Sequence, residues 1–290
     1  MNHPGFIIIG AAKSGTTTLY QYLCRHPQIY MSTPKEPDFF SVDENYQRGL
    51  DWYFDLFKNA QPEQISGEAS TTYSRLHQHP HTVDRMVKVL PDVKLIYIMR
   101  HPVDRAYSFY VHRLKGSRHK PELAFEQTIT SQSEFVDSSY YLEQIEKYLR
   151  VYPRESLLLL LMEDLIKNPA ETLKRIVEFI GADPGVDLVQ AGTVVANKAG
   201  DHPEWLVRKQ LTESFKSFPG AELISSMVPK FAKNRLYRAI KNVKYEDWKS
   251  QQYVPPPMLP ETRQMLLEKF HQPNQKLSEF LARDLSHWNQ

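Results

Sequence analysis

The sequence predicts an α/β protein, a parallel β-sheet of P-loop-like design flanked by helices and closed by a helical C-terminal cover, and three observations carry that expectation. A short continuous apolar run at Phe6 to Ile9 and similar, largely apolar stretches at Val93 to Met99 and Ser156 to Met162 show the pattern of strands buried on both faces. Helix-length amphipathic stretches lie between them, and strands that alternate with helices pair in parallel. The first apolar run breaks at Gly10 into a turn of small residues that leads straight into a helical pattern.

Element by element, the first strand ends at Gly10 and a helix is expected over Thr16 to Cys24. Trp52, Tyr53, Phe54 and Phe57 stand at helical spacing and read as core. The stretch Gly67-Glu68-Ala69-Ser70-Thr71-Thr72-Tyr73 is expected to follow a short strand. Helices come next at His81 to Leu90 and Val103 to Leu114, the latter with Pro102 in the first turn, where a missing N–H costs nothing. Beyond the third apolar run, helices are expected over Ala170 to Ile180, Trp205 to Ser214 and Glu261 to Leu285. The last presents Leu266, Phe270, Leu277, Phe280 and Leu281 on one apolar face. No internal repeat and no Gly/Ser- or Pro-rich linker divides the chain, so residues 1–290 are expected to form a single domain.

Hydrophobic residues make up 41% of the 290 and charged residues 24%, which is a globular composition and not a disordered one. The longest apolar run, Leu157 to Met162, falls far short of the roughly 18 residues needed to cross a bilayer. Neither a membrane span nor a secretory signal is read. Cys24 is the only cysteine, so these residues hold no disulfide and no cysteine-based zinc cluster, which fits a reducing, cytoplasmic setting. With 36 basic and 34 acidic residues the formal charge is +2, too small for the long-range attraction on which non-specific nucleic-acid binding rests. Any anion site has to be local.

Gly10-Ala11-Ala12-Lys13-Ser14-Gly15-Thr16-Thr17-Thr18-Leu19 supplies such a site. Successive backbone N–H groups and the positive end of a helix dipole converge in a turn of this kind, and Lys13, Thr16 and Thr17 add one charge and two hydroxyls. A nucleoside-triphosphate loop places its lysine directly after the glycine that precedes the helix. Here Thr16 occupies that place, the lysine stands three positions earlier, and the second inner strand ends in Met99-Arg100 where a magnesium-holding aspartate would be expected. The pattern suits a phosphate ligand handled without metal, and no metal ligand is assigned.

Lys13 to Leu19 resembles the K-S-G-T-T-x-L loop of the PAPS-dependent sulfotransferases, in particular bacterial members related to the heparan-sulfate-type enzymes. In that family the loop grips the 5′-phosphosulfate end of 3′-phosphoadenosine 5′-phosphosulfate. A second block, Arg100-His101-Pro102-Val103-Asp104-Arg105-Ala106-Tyr107-Ser108, is similar to the family's R-x-P-x-x-R-x-x-S segment, which binds the 3′-phosphate. The resemblance implies nucleotide contacts from Lys13, Ser14, Gly15, Thr16, Thr17, Thr18, Arg100 and Ser108, with PAPS as donor and PAP as product. An arginine at a strand end can pair bidentately with a phosphate, and a serine hydroxyl eight residues on can donate to the same group. Arg105 reads equally as a surface ion-pair partner, and Tyr107 as core.

Sulfuryl transfer needs an activated acceptor oxygen, stabilisation of an in-line transition state and neutralisation of the departing phosphate. Lys13 suits the last role. Lys35-Glu36-Pro37-Asp38-Phe39-Phe40 resembles the K-E-x-x-F-F stretch whose glutamate is assigned as base in the heparan-type enzymes, which points to Glu36; the competing reading is a solvated Lys35–Glu36 ion pair. His112 lies one helical turn after Ser108 and resembles the histidine of the family's A-Y-S-x-Y-x-H run, a second acid–base candidate.

Two departures bear on the acceptor. Ala69 stands where heparan-type enzymes carry a lysine, and the near-zero net charge gives no basic groove for a polyanionic chain. The Gly-rich basic loop that completes the family's 3′-phosphate site has no clear copy; the basic residues between Lys230 and Lys249 read either as its substitute or as a solvated helical face, and Asn197-Lys198 is a candidate cleft loop. His77, His79 and His81 alternate but lack the spacing of a built metal site. The expected acceptor is a hydroxyl on a small, lipid-like, carrier-bound or sugar molecule. A P-loop kinase and a non-catalytic nucleotide-binding module are the alternatives.

Overall fold

A computed structural model describes residues 3–114, 123–189 and 255–290. Its sheet has five strands, β1 (Phe6–Gly10), β2 (Ile29–Met31), β3 (Ile65–Ala69), β4 (Lys94–Met99) and β5 (Leu157–Leu161). They lie in the order β2-β3-β1-β4-β5, and every pairing is parallel. The helices, numbered among the described residues, are α1 (Thr16–Leu23), α2 (Asp43–Tyr46), α3 (Gly49–Asp55), α4 (Thr82–Val89), α5 (Pro102–Leu114) and α6 (Phe125–Ser131). After them come α7 (Glu134–Asp137), α8 (Tyr141–Leu149), α9 (Met162–Lys167), α10 (Pro169–Ile180) and α11 (Pro260–Leu281).

The apolar runs are strands because both faces of the sheet are covered, and the side-chain period of two divides them between two cores. Ile7 and Ile9 of β1, Leu95, Tyr97 and Met99 of β4, and Leu157 and Leu161 of β5 pack with Tyr53, Met86, Tyr148 and Leu277 on one face. Phe6 and Ile8, Ile96 and Ile98, and Leu160 pack with Leu19, Leu23, Leu173, Ile176 and Ile180 on the other. Burial of each such side chain contributes about 1.5–3 kcal/mol before the entropy of ordering is set against it.

Chain packing gives two compact units. One comprises Met1–Tyr110, Leu123–Ala196 and Pro257–Gln290, and the other Val111–Glu122 with Asn197–Pro256. The first carries the whole sheet. Of the second, only residues 111–114, 255 and 256 are described, and His112 is among them.

Several sequence expectations need correction. Met162 starts α9 instead of ending β5, and α11 stops at Leu281, where Ala282 turns left-handed at φ 48°. Phe280 consequently lies outside the apolar face, 39% exposed, while Leu266, Phe270 and Leu277 are buried. Gly67, Glu68 and Ala69 lie inside β3 and do not follow it. Arg105 is fully buried: its Nε donates to Ser139 Oγ at 2.6 Å and Nη2 to the Phe135 carbonyl at 2.5 Å, so it is not a surface ion pair. The helix expected over Trp205 to Ser214 lies outside the described residues.

Candidate active site

Three loops leave the C-terminal ends of β1, β2 and β4 at one edge of the sheet, where open α/β folds place their ligands. The first is the turn from Gly10 to Gly15. A side chain at Gly10, where φ is 150°, would put a Cβ 1.9 Å from Ser74 Oγ. The turn folds as it does because Ala11 N–H donates to the Ile98 carbonyl at 2.7 Å, Lys13 takes φ 69° and Gly15 takes φ 92° at the cap of α1. No side chain caps that helix end and no acidic residue stands in its first turn, which suits the positive end of the helix to an anion. Thr16 and Ser14 are buried, whereas Lys13, Gly15, Thr17 and Thr18 are half-buried. Ser14 Oγ lies near the buried Tyr141 hydroxyl without hydrogen-bonding geometry to any partner among the described residues. Open amides, glycine-shaped curvature and a spare hydroxyl fit a phosphate ester.

Arg100 follows β4 and is held from two directions. The Tyr141 hydroxyl donates to its carbonyl at 2.7 Å and accepts its N–H at 3.4 Å. Arg100 Nη1 in turn donates to the Lys13 carbonyl at 3.3 Å, which joins the second loop to the first. Ser108 sits half-buried on α5. His112 is exposed on the last turn of that helix, within the second unit.

The third loop carries Glu36. Glu36 and Asp38 both occupy left-handed backbone, at φ 60° and 51°, a conformation that side chains other than glycine adopt at a cost. The segment from β3 through the 3-10 turn Thr71–Ser74 holds them there. Glu36 N–H donates to the Ala69 carbonyl at 3.0 Å, Asp38 N–H to Ser70 Oγ at 3.1 Å and Phe40 N–H to the Tyr73 hydroxyl at 3.3 Å. Phe39 and Phe40 anchor the far end in an aromatic cluster, with Phe39 stacked on Tyr53 at 4.5 Å. The Glu36 carboxylate is exposed, accepting from Lys35 Nζ at 2.5 Å and Thr71 Oγ1 at 3.4 Å. The ion pair expected as the competing reading of Glu36 therefore exists, and it leaves the group reachable from solvent.

Two further carboxyls belong to this region, Asp38 on the turn itself and Glu68 on β3 beside it. Asp38 accepts from Thr72 Oγ1 at 2.5 Å, and burial, reinforced by the Glu36 charge, pushes it up to about 6. Glu68 is completely buried and accepts from Tyr53, Ser70 and Tyr73; burial lifts it to about 7. Asp38 stands in the K-E-x-x-F-F motif without having been singled out, and Glu68 was missed because its stretch was expected to follow the strand instead of lying in it. Tyr141, 41 residues from Arg100 in sequence, gave no local signal.

Lys230 to Lys249 and Asn197-Lys198 lie outside the described residues. His77 faces Glu143 at 3.3 Å. Among the described residues no cluster of three or more His, Cys, Asp or Glu side chains could hold a metal ion, and no helix is long and apolar enough to cross a membrane.

Parallel strands, a loop-to-helix turn at the end of a central strand and helices on both faces define a P-loop-like α/β protein. The chain matches the sulfotransferase domain family over residues 3–274 and belongs to that family. A sulfotransferase from Alicyclobacillus acidocaldarius shares the fold, with TM-score 0.70 and 24% identity over 100% of both chains. Among curated proteins, the Bos taurus bifunctional heparan sulfate N-deacetylase/N-sulfotransferase 2 is 32% identical over 200 residues, 62% of this chain and 22% of that one. The Mus musculus heparan sulfate glucosamine 3-O-sulfotransferase 3B1 is 32% identical over 188 residues, 61% of this chain and 46% of that one. The chain thus matches less than half the length of these relatives.

Proposed function

We propose that the protein transfers a sulfuryl group from PAPS to an acceptor hydroxyl. The observation that carries this reading is the junction of two cationic loops at the ends of adjacent strands, where Arg100 Nη1 meets the Lys13 carbonyl beside the open N-terminus of α1. A ligand with phosphate at both ends of a ribose suits two such loops. Ser14, Gly15, Thr16, Thr17 and Thr18 bind the 5′ end through backbone N–H groups and hydroxyls, while Arg100 and Ser108 bind the 3′-phosphate.

Glu36 is the base. It takes the acceptor proton as the acceptor oxygen bonds to sulfur; the bond from sulfur to the bridging phosphate oxygen breaks, and Lys13 neutralises the charge left on PAP. His112 is a second acid–base group. No step calls for a metal. Names among the relatives point to sugar acceptors, but Ala69 and a net charge of +2 disfavour a long polyanion, so a short sugar, lipid-like or carrier-bound hydroxyl suits the chain better.

Titration with PAP in the presence and absence of magnesium tests the nucleotide assignment. Binding is expected to be magnesium-independent and to weaken at least about tenfold in Lys13→Ala and Arg100→Ala, the loss of one charge-assisted contact. A preference for ATP with magnesium would instead mark a kinase. Glu36→Gln is expected to retain PAP affinity and to lose about 100-fold or more in transfer, a usual scale for a general base. His112→Ala is expected to reduce transfer as well. Turnover of Glu36→Gln at the parent rate would remove Glu36 from the base role.

A further inference from the structure

Glu68 takes no part in the proposed chemistry, yet among the described residues it alone is bonded to both hydroxyls that hold the Glu36 turn by its amides. Tyr53 donates to Oε1 at 2.6 Å, Tyr73 to Oε1 at 3.1 Å and Ser70 to Oε2 at 2.7 Å, and Glu68, Tyr53, Ser70 and Tyr73 are all at 0% exposure. Ser70 Oγ in turn accepts the Asp38 amide and the Tyr73 oxygen accepts the Phe40 amide. A hydroxyl has a single proton. Once that proton is committed to a carboxylate, the lone pairs of the same oxygen are left to accept.

We propose that Glu68 is a positioning residue for the Glu36 turn: its carboxylate takes the protons of Ser70 and Tyr73 and thereby aims their lone pairs at the amides of Asp38 and Phe40, which fixes the backbone on which Glu36 stands. The inference rests on Glu36 acting as base. Burying a carboxyl is costly, and a neutral or apolar side chain of similar size would serve packing at least as well. What a neutral group cannot do is accept from three hydroxyls at once. Glu68 meets Tyr53 from α3, Tyr73 from the 3-10 turn, Tyr148 from α8 and Asp38 from the turn itself, and none of these four is a cation.

Glu68→Gln is the closest test, because the amide keeps the shape and turns one acceptor into a donor aimed at a hydroxyl. Hydrogen exchange on the full chain reads the turn without any acceptor: the Asp38 and Phe40 amides are expected to exchange about tenfold faster, the equivalent of roughly one hydrogen bond. Ser70→Ala, which removes the relay but leaves the carboxyl, is expected to free Asp38 alone. Transfer from labelled PAPS to a glucosamine oligosaccharide and to a long-chain alcohol is expected to fall about tenfold or more in kcat, with PAP affinity and acceptor KM unchanged, since misplacement of a reacting group acts on the chemical step. The double variant is expected to lose no more than the worse single one.

Unchanged exchange at Asp38 and Phe40 in Glu68→Gln would overturn the proposal. So would faster exchange with undiminished kcat in a protein that Glu36→Gln disables. If the parent chain transfers to neither acceptor, the sulfotransferase reading at these acceptors fails separately, and the exchange measurements still decide whether Glu68 holds the turn.

Discussion

Lys13, Glu36 and Asp38 are three of the four described non-glycine residues with positive φ, and all three lie on the loops of the candidate site. Such conformations persist only where surrounding bonds over-determine them. The bonds around Glu36 and Asp38 come from β3 and the 3-10 turn, about thirty residues away in sequence. Local motifs therefore disclosed Lys13, Arg100 and Glu36 as residues but not what holds them: Tyr141 and Glu68 act through contacts that only the fold creates. Gly10 is the residue where shape is least negotiable. Gly10→Ala would set a Cβ 1.9 Å from Ser74 Oγ at φ 150°, and urea unfolding is expected to show a loss of about 2 kcal/mol or more from strain and overpacking together. Titration of the buried acids gives a second expectation. Glu68 at about 7 and Asp38 at about 6 keep protons in the folded chain that the unfolded chain has released, so their contribution to stability falls as pH rises from about 4 to about 7. The melting midpoint is expected to fall over that range and Glu68→Gln to flatten the slope. Ser70 and Tyr73 are oriented by the charged form, so acidity that favours the fold works against the turn.

Among elements, β1, β4 and β5 were legible because a parallel strand covered on both faces reads as a nearly continuous apolar run. β2 was not: three residues of Ile29–Met31 carry too little pattern, and β3 is disguised by the glycine, glutamate and serine within it. Helix α11 was legible in position but not in extent. Its buried residues Thr262, Leu266, Phe270, Asn274 and Leu277 form a single stripe, after which the chain reverses at Ala282 to bring Trp288 into the core. Arg283 pairs through both guanidinium nitrogens with Asp164, and Trp288 Nε1 donates to Glu163 at 2.9 Å, so the C-terminal segment is tied to α9. Phe270→Ala is accordingly expected to cost about 3–5 kcal/mol in chemical unfolding. Phe280→Ala, on the same helix but 39% exposed, should stay within about 0.5 kcal/mol of the parent.

For the whole molecule, ligand binding and stability are one quantity. PAP at about 100 times its dissociation constant is expected to stabilise the folded chain by about 2.7 kcal/mol, read as a rise in melting midpoint that Arg100→Ala reduces. The order β2-β3-β1-β4-β5 has a larger consequence. The loops assigned to the nucleotide leave β1 and β4, whereas the Glu36 turn leaves β2 and is moored to β3. On the proposed reading, donor handling and acceptor handling are built on different halves of one sheet, and the acceptor half is expected to tolerate redrafting, by mutation or by graft, while the donor half is left as it stands. A scaffold divided in this way lends itself to diversification: one shared sulfate source, many possible recipients.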